Sequence, residues 1–426
     1  MTGSAPRSPP PAPPGRAKEA RYALVILTAM NLLNYLDRFV PSAVKDLFKR
    51  DLHLTDAQTS YPLTAFVVVY MIASPLFGSL SEKAPRKHLI AAGVALWSLA
   101  TASAAMATGF FSFLLARAAV GVGEAAYATL SPPLISDFYP PARRNRALTF
   151  FYVAIPVGAA LGYLLGGEVG TRLGWRWAFL IAGLPGLLAA GLVLFVREPP
   201  RGALDIGDAG VPLHWPEALR ALARNREFVL AVLGYTAVTF ASGALADWYP
   251  TYLHRHRGLD LAAANRMVGS SAVIGGLLGT LSGGFLADRL GRWTRKPYLA
   301  LCAVATLLAS GFAVLTLRME SPVAIAATLY AAQFFLWFYN GPINTVLVNS
   351  VSSRLRVRAF SVSILSIHLF GDAISPSVVG KLSDLRGLPA ALSLVPVAMA
   401  AGALIWGFAW RSLPDVRIAE LETLSF

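Results

Sequence analysis

The chain has 426 residues, of which 55% are hydrophobic and only 14% are charged. Soluble domains carry about 25% charged residues, so a chain with a mean hydropathy of +0.56 lacks the polar residues to cover a water-facing surface. Composition therefore argues against a soluble enzyme, a disordered protein, a fibrous repeat and a disulfide-rich scaffold. It favours a polytopic membrane protein.

Residues 1–21 are rich in proline and contain no apolar run, which predicts a disordered cytoplasmic tail rather than a signal peptide. Apolar segments then follow, each near the length of about 20 residues that a transmembrane helix needs. A β-barrel is a poor fit, because its strands are alternating segments of about 10 residues. The twelve predicted spans are 22–44, 60–81, 88–108, 111–136, 147–167, 177–196, 228–250, 267–287, 297–317, 322–349, 359–380 and 389–410.

The longest polar stretch between spans divides them into two sets of six. We predict an N-terminal six-helix bundle over 22–196, a cytoplasmic linker over 197–227, a C-terminal six-helix bundle over 228–411 and a cytoplasmic tail over 412–426. Lysine and arginine concentrate in the segments that lie on the side of both termini. By the positive-inside rule this predicts that both termini are cytoplasmic, and it accounts for the net charge of +14 without nucleic acid.

Two similar loops lie about half a chain length apart. Gly78-Ser-Leu-Ser-Glu-Lys-Ala-Pro-Arg86 joins the second and third spans, and Gly284-Phe-Leu-Ala-Asp-Arg-Leu-Gly-Arg292 joins the eighth and ninth. Equivalent loops in two sets of six resemble the parallel repeat of the major facilitator transporters. We expect the first glycine of each loop to permit close helix approach. The alternative is a plain basic loop at the membrane edge. The acid-base pairs are candidates for a cytoplasmic gate: Glu82, Lys83, Asp288 and Arg289.

Four ionisable residues fall within the spans of the N-terminal bundle, where a charge is costly and suggests function. Asp37 and Arg38 are adjacent in the first span, so they point about 100° apart and each needs its own partner. Arg117 and Glu124 of the fourth span lie two turns apart on one helix face. We expect these four residues to form a charge-balanced network.

The network serves either as a static staple or as a proton switch. A carboxylate that loses solvation in a closing cavity has a raised pKa, and a nearby arginine lowers it again. In a switch, Asp37 and Glu124 are the candidate proton-coupling carboxylates, with Asp37 preferred, and Arg38 and Arg117 stay charged. Protons would be the coupling ion, and we expect no other cofactor and no metal.

The C-terminal bundle holds fewer polar candidates. His368 and Asp372 are four residues apart in the eleventh span, and the histidine either contacts a substrate headgroup or is a satisfied core residue. The aromatic run of the tenth span either lines a cavity or packs against its surroundings. The candidate substrate-binding residues are Tyr235, Thr239, Trp337, Asn340 and His368. Outside the membrane, Arg255-His256-Arg257 predicts a solvated loop.

The fifth span carries Pro156 and a glycine ladder at residues 158, 162, 166 and 167. A spacing of four places small residues on one helix face and permits close packing. The ladder loosely resembles a fifth-helix motif of antiporters, and plain helix packing is the alternative.

Three segments together resemble the spinster family, the sphingolipid and lysophospholipid transporters among the major facilitators. They are Asn31-Leu-Leu-Asn-Tyr-Leu-Asp-Arg38, Arg117-Ala-Ala-Val-Gly-Val-Gly-Glu-Ala-Ala-Tyr127 and Phe151-Tyr-Val-Ala-Ile-Pro-Val-Gly158. The resemblance implies an all-α membrane protein with twelve helices in two six-helix bundles and a central cavity that opens alternately to each side. It also implies export of amphipathic lipids with proton coupling, and a headgroup-binding histidine that corresponds to His368.

From these patterns we expect a secondary active transporter and not an enzyme. It would move an amphipathic lipid by rocking one bundle against the other, as a monomer in a bacterial inner membrane. The nearest alternative is a proton-coupled transporter of small organic anions or drugs, in which Asp37 and Arg38 would act on a carboxylate directly. Two further hypotheses are a membrane receptor that senses a ligand without moving it and an intramembrane enzyme. No P-loop motif for nucleotide is present in the sequence.

Overall fold

The computed structural model describes residues 16–200, 215–290, 296–351 and 355–412, and every regular element in these ranges is helical. The helices are α1 (Arg16–Ala43), α2 (Lys45–Asp51), α3 (Asp56–Ser81), α4 (Arg86–Ala104), α5 (Phe110–Phe138), α6 (Pro141–Leu173), α7 (Trp175–Val193), α8 (Trp215–Arg224), α9 (Arg226–Arg257), α10 (Leu261–Leu290), α11 (Lys296–Arg318), α12 (Pro322–Leu336), α13 (Asn340–Asn349), α14 (Arg356–Ile367), α15 (Ser375–Arg386), α16 (Leu388–Leu392) and α17 (Leu394–Ser412). The proline-rich segment 1–15, most of the linker and the tail after residue 412 lie outside the described residues.

Each of the twelve predicted spans falls on one helix or on consecutive helices. Within the described ranges, 11 helical stretches are long and apolar enough to cross a membrane. The remaining span is α4, which has 19 residues and begins with Arg86, Lys87 and His88. At a rise of 1.5 Å per residue α4 is roughly 28 Å long, close to the ~30 Å hydrocarbon core, so polar residues at one end explain its lower hydropathy.

Two spans of the C-terminal half are irregular near their middle. A 3₁₀ turn, Trp337–Tyr339, joins α12 to α13. A π-helical turn, His368–Asp372, lies between α14 and α15. Such turns within helices frequently occur at functional sites. Both fall on residues that the sequence marks as substrate-binding candidates.

The chain forms two helical halves, α1–α7 and α9–α17. The short amphipathic helix α8 precedes the second half and buries Ala218 and Leu222 against it. Both described ends, residues 16 and 412, lie at one end of the bundle, which we name the terminal face. The other end is the opposite face.

Ties between the two halves concentrate at the opposite face. There α3 meets α15, with the amides of Asp56 and Ala57 donating to the Asp384 carboxylate at 2.9 and 3.0 Å. The N-terminal part of α10 packs against the C-terminal part of α6, where Asn265 donates to the carbonyl of Ala43 at 2.9 Å. The halves are therefore joined at the opposite face.

The two repeated loops lie at the terminal face, and their first glycines behave differently from the expectation. A Cβ built on Gly78 or Gly284 would meet no atom within 4 Å in the described structure. Close helix approach does not require these glycines in this conformation, because the halves are joined at the other end.

Candidate functional site

The four intramembrane charges form two ion pairs between α1 and α5. Arg117 Nη1 donates to Asp37 Oδ1 at 3.1 Å and to Oδ2 at 3.3 Å, and Thr101 Oγ1 donates to Oδ2 at 2.8 Å. The side chains of Asp37 and Arg117 are 0% and 1% exposed. This pair is therefore fully enclosed, and the carboxylate has three hydrogen bonds.

The second pair lies beside the first, and its arginine is partly exposed. Arg38 Nη2 donates to Glu124 Oε2 at 2.7 Å, with the arginine side chain 24% exposed and the glutamate buried. The guanidinium carbon lies 4.9 Å from the ring centre of Tyr35, 5.0 Å from that of Phe66 and 5.8 Å from that of Tyr70. Glu124 Oε1 has no hydrogen-bond partner in the described part of the chain. The pair is therefore exposed only on its arginine, and the free oxygen of Glu124 is buried.

Glycines explain how α5 brings Arg117 and Glu124 to this position. A Cβ on Gly121 would collide with the carbonyl of Phe66 in α3, and one on Gly123 with the carbonyl of Gly93 in α4. The motif R-x-x-x-G-x-G-E therefore places its glycines against two neighbouring helices. Its charged residues consequently face α1.

The glycine ladder of α6 allows α1 to pack closely against α6. A Cβ on Gly158 would lie 2.6 Å from the carbonyl of Leu32, and one on Gly162 would lie 2.5 Å from that of Leu36. These contacts fix the α1 backbone in the turn that leads to Asp37. Gly167 is different, because it faces Ala262 and Asn265 of the other half.

The C-terminal candidates fall into two groups. The rings of Tyr235 and Tyr339 are 5.3 Å apart, and Thr239 packs beside Gly371 of the π-helical turn. Nδ1 of His368 lies 3.0 Å from Oδ2 of Asp372 in that same turn, and both side chains are about one third exposed. Tyr235, Thr239 and His368 therefore lie in one region.

The Asp372 carboxylate is close enough to act electrostatically on the hydroxyl groups of Tyr35 and Tyr235. The π-helical turn thus lies near Tyr35, whose ring contacts Arg38. Trp337 belongs to the second group: it packs against α10 and donates to Gln333 Oε1 at 3.2 Å. Asn340 lies one turn further along, and its carbonyl accepts from Asn344 at 2.7 Å.

The candidate cytoplasmic gate residues lie at the terminal face and are separate from the charge pairs. Glu82, Lys83 and Arg289 are exposed, and the side chain of Asp288 lies outside the described residues. The buried charge of the first loop is Arg86, which pairs with Asp137 Oδ2 at 2.6 Å and Glu198 Oε1 at 2.7 Å. Sequence reasoning noted Arg86 as the end of the motif but missed both of its partners.

Sequence reasoning also missed the charges that join the halves at the opposite face. Lys45 of α2 pairs with Asp247 of α9, and Arg255 pairs with Asp46 and Asp56. The prediction of a solvated loop at 255–257 is wrong, because these residues form the last turn of α9, in which Arg255 contacts the N-terminal half and Arg257 donates to the carbonyl of Leu317. Their acidic partners lie about 200 residues away in sequence, so no local pattern shows the pairing.

A small cavity connects the two sets of charges. It has a volume of about 10 Å³, which is room for about one water molecule. Its charged lining residues are Arg38, Lys45, Arg117 and Asp247.

Comparison with known proteins adds independent information. The Major Facilitator Superfamily model matches residues 27–376. Protein spinster homolog 1 of Xenopus tropicalis is 35% identical over 381 residues, which covers 85% of this chain and 72% of that protein. The human protein spinster homolog 1 is 36% identical over 394 residues, covering 87% and 74%.

Solved structures of transporters share the fold. The inward-facing, unoccupied crystal structure of a bacterial homolog of the human lysosomal transporter Spinster superposes with a TM-score of 0.82. The alignment covers 92% of this chain and 97% of that one at 24% identity. The major facilitator fold is thereby confirmed.

Proposed function

The chain belongs to the spinster family of the Major Facilitator Superfamily, whose members are transporters and not enzymes, and on this basis we propose that it moves an amphipathic lipid by alternating access coupled to protons. The expectation of an integral membrane transporter is confirmed by this membership. The lipid substrate and the proton coupling are the proposal.

The observation that carries the substrate class is the environment of Arg38. Its guanidinium is partly exposed, and the aromatic rings of Tyr35, Phe66 and Tyr70 surround it. Arginine binds phosphate and carboxylate groups well because its planar donors match their oxygens. A cation set among aromatic rings suits a molecule with an anionic headgroup and an apolar body, such as a lysophospholipid or a sphingoid phosphate.

The C-terminal half supplies candidate contacts for the same molecule. His368 and Asp372 are partly exposed, and Asp372 lies near Tyr35, whose ring contacts Arg38. Thr239 adjoins Gly371 of the same turn and Tyr235 lies one helical turn before it, while Trp337 and Asn340 form the separate group at the 3₁₀ turn between α12 and α13. We propose that His368 contacts the polar part of the substrate and that the aromatic residues contact its chain.

Proton coupling is best placed on Glu124 of the two candidate carboxylates. Both carboxylates are buried, but Asp37 accepts three hydrogen bonds, so a proton would have to displace Arg117 or Thr101. Among the described residues, Glu124 receives a hydrogen bond on one oxygen only, from the partly exposed Arg38. A proton on Glu124 would free Arg38 for an anionic headgroup. Substrate binding and protonation would then favour one another.

The setting of this mechanism is also part of the proposal. We place the terminal face, with both termini, in the cytoplasm, since the basic residues concentrate on that side. The protein would act as a monomer in a bacterial inner membrane, with protons in place of any other cofactor. The gate at the cytoplasmic side would involve Glu82, Lys83, Asp288 and Arg289.

Flux into proteoliposomes tests the substrate class. We expect uptake of labelled lysophospholipid or sphingoid phosphate, and Arg38→Gln should reduce it at least tenfold because it removes the anion-binding group. Arg176→Gln, at an exposed pair with Asp51, is the matched control and should transport normally. Competition by a short carboxylate without any effect of lysolipid would instead favour the small organic anion.

A further inference from the structure

The short helix α8 has one buried apolar face and one exposed apolar face. Ala218 and Leu222 lie on the first and are buried, the leucine within the core of the C-terminal half. Trp215 and Leu219 lie one step around the helix and are 49% and 48% exposed. An exposed apolar strip of this kind is typical of a helix that lies in the interface of a membrane.

The turn after α8 holds the helix against the C-terminal half. Asn225 Nδ2 donates to the carbonyl of Ser350 at 2.6 Å, where the span that contains α13 ends. The side-chain oxygen of Asn225 accepts from the amide of Phe228 at 3.0 Å and caps α9. The helix α8 therefore has a defined position at the terminal face, beside the ends of the spans.

The polar face of α8 belongs to a larger group of arginines. Arg220 and Arg224 are exposed and lie about 100° and 140° around the helix from Leu219. Further arginines follow at the neighbouring ends of α9, α14 and α17. We name the whole group the basic strip, and its members are Arg220, Arg224, Arg226, Arg358 and Arg411.

Positive charge is in excess along the basic strip. Within the part of the chain that the structure describes, none of its arginines forms an ion pair. The carboxylates of α8 and of the first turn of α9 are Glu217 and Glu227, two against five arginines. The strip therefore carries charge that is available to an anionic partner.

Aromatic rings accompany the basic strip at the ends of the spans. The distances from the guanidinium carbon to the ring centre are 5.3 Å for Arg358 and Trp215, 5.5 Å for Arg226 and Phe408, and 6.0 Å for Arg411 and Trp410. Phe408 is 52% exposed. Aromatic rings with cations beside them are typical of the headgroup level of a bilayer. An arginine on a ring still presents N–H groups that match phosphate oxygens.

We propose that α8 and the basic strip bind the anionic headgroups of the bilayer leaflet at the terminal face. Trp215 and Leu219 enter the acyl boundary of that leaflet, and the arginines bind the headgroup phosphates. The occupant is a diacyl phospholipid of net negative charge, such as phosphatidylglycerol. Neutral phosphatidylcholine offers the same phosphate without the net charge that attracts arginine. The surface is separate from the substrate contact proposed above, because Arg38 lies within a span and the basic strip lies at the span ends.

Fluorescence quenching in reconstituted bilayers measures this preference. Phospholipids with brominated acyl chains quench nearby tryptophans, and the difference between the otherwise unaltered protein and Trp215→Phe isolates the signal of Trp215. Brominated phosphatidylglycerol is compared with brominated phosphatidylcholine, each as a minor fraction of a phosphatidylcholine bilayer. Each arginine near an anionic surface contributes a factor of about five to binding. We expect phosphatidylglycerol to be preferred at least about tenfold at low salt, and the preference to fall at high salt.

Matched variants separate this surface from the general charge of the terminal face. Arg220→Gln with Arg224→Gln should reduce the preference about tenfold, whereas Arg220→Lys with Arg224→Lys should retain it because the charges remain. Arg143→Gln with Arg146→Gln is the control, since it removes the same charge from exposed positions of α6 at the same face. Arg38→Gln should also retain the preference.

Nitroxide labels test the orientation of α8 in the membrane. A label on Leu219→Cys should be accessible to oxygen dissolved in the lipid, and a label on Arg220→Cys to a water-soluble nickel complex. The native Cys302 is buried, so the introduced cysteine is the reactive one. Labels that are both accessible to the nickel complex alone would overturn the insertion of α8.

The quenching results decide the rest of the proposal. Equal quenching by the two lipids would overturn it, as would equal losses in the paired variants of α8 and of α6. Loss of the preference in Arg38→Gln would place the lipid at the substrate contact and would also overturn it. Failure of the protein to carry lysophospholipid would count against the proposed function alone, because the quenching experiment uses leaflet lipids that are not transported.

Discussion

Removal of either partner from the Asp37–Arg117 pair should destabilise the protein severely. The two side chains are 0% and 1% exposed, so neither charge reaches water when its partner is removed. Loss of one partner from a buried pair costs about 3–5 kcal/mol. For a unit the size of the N-terminal half this lowers the melting temperature by roughly 10 °C.

Thermal unfolding in detergent, followed by size-exclusion chromatography, measures this effect in Asp37→Asn and Arg117→Gln. The double variant removes both charges together and should recover most of the loss, since neutral groups of similar volume leave no buried charge. Arg176→Gln, at a pair exposed by nearly half, is the control and should change the free energy of unfolding by at most about 1 kcal/mol. Single variants as stable as the control would refute the reasoning, as would a double variant whose loss equals the sum of the single losses.

The remaining predictions concern a glycine contact, a buried arginine and an exposed carboxylate. Gly162→Ala should reduce the free energy of unfolding by about 1–3 kcal/mol, because its Cβ would lie 2.5 Å from the carbonyl of Leu36. Gly311→Ala is the control, since a Cβ there meets nothing within 4 Å. Equal melting temperatures of the two variants would contradict the packing argument. Arg86→Gln should destabilise the protein because it leaves Asp137 and Glu198 without this partner, and loss of stability no greater than in Lys83→Gln would contradict it. The hydrogen bond from Arg176 lowers the pKa of Asp51, so the stability that this pair contributes is present above pH ~4 and is lost as the pH falls through the lowered pKa. The difference in melting temperature between the wild type and Asp51→Asn should therefore vanish in acid. A difference that grows in acid would contradict this prediction.

Sequence patterns predict the helices and the N-terminal charges well, because both depend on local spacing. A span of about 20 apolar residues has few alternatives in a membrane. The 100° turn between Asp37 and Arg38 and the two-turn spacing of Arg117 and Glu124 leave few ways to pair four charges between two helices. The pairs that the structure shows, Asp37 with Arg117 and Arg38 with Glu124, agree with that geometry.

Sequence patterns do not predict the contacts between the halves. Lys45 and Asp247 are 202 residues apart, and each looks like an ordinary loop or helix-end charge by itself. Arg255 also looks like an ordinary helix-end charge by itself, although it pairs with Asp46 and Asp56 of the other half. Which ends of the bundles meet depends on the conformation of the transporter, and a linear pattern carries no information about it. The same reason explains why Gly78 and Gly284 do not need to be glycine for packing in this state.

The preference between Asp37 and Glu124 also required coordinates. The sequence places both carboxylates at membrane depth with an arginine within reach. Only the structure distinguishes a carboxylate with three hydrogen bonds from one with a free oxygen. On this ground we expect Asp37 to act as a structural partner of Arg117 and Glu124 to exchange the proton.

Proton-driven flux in Glu124→Gln tests the central claim most directly. Proteoliposomes loaded with lysophospholipid or sphingoid phosphate would be given a pH gradient, and the wild type would be compared with Glu124→Gln and Asp37→Asn at matched amounts of folded protein. We predict that wild-type flux follows the gradient and that Glu124→Gln loses this dependence. Wild-type flux that ignores the gradient, or full gradient dependence in Glu124→Gln, would contradict the account.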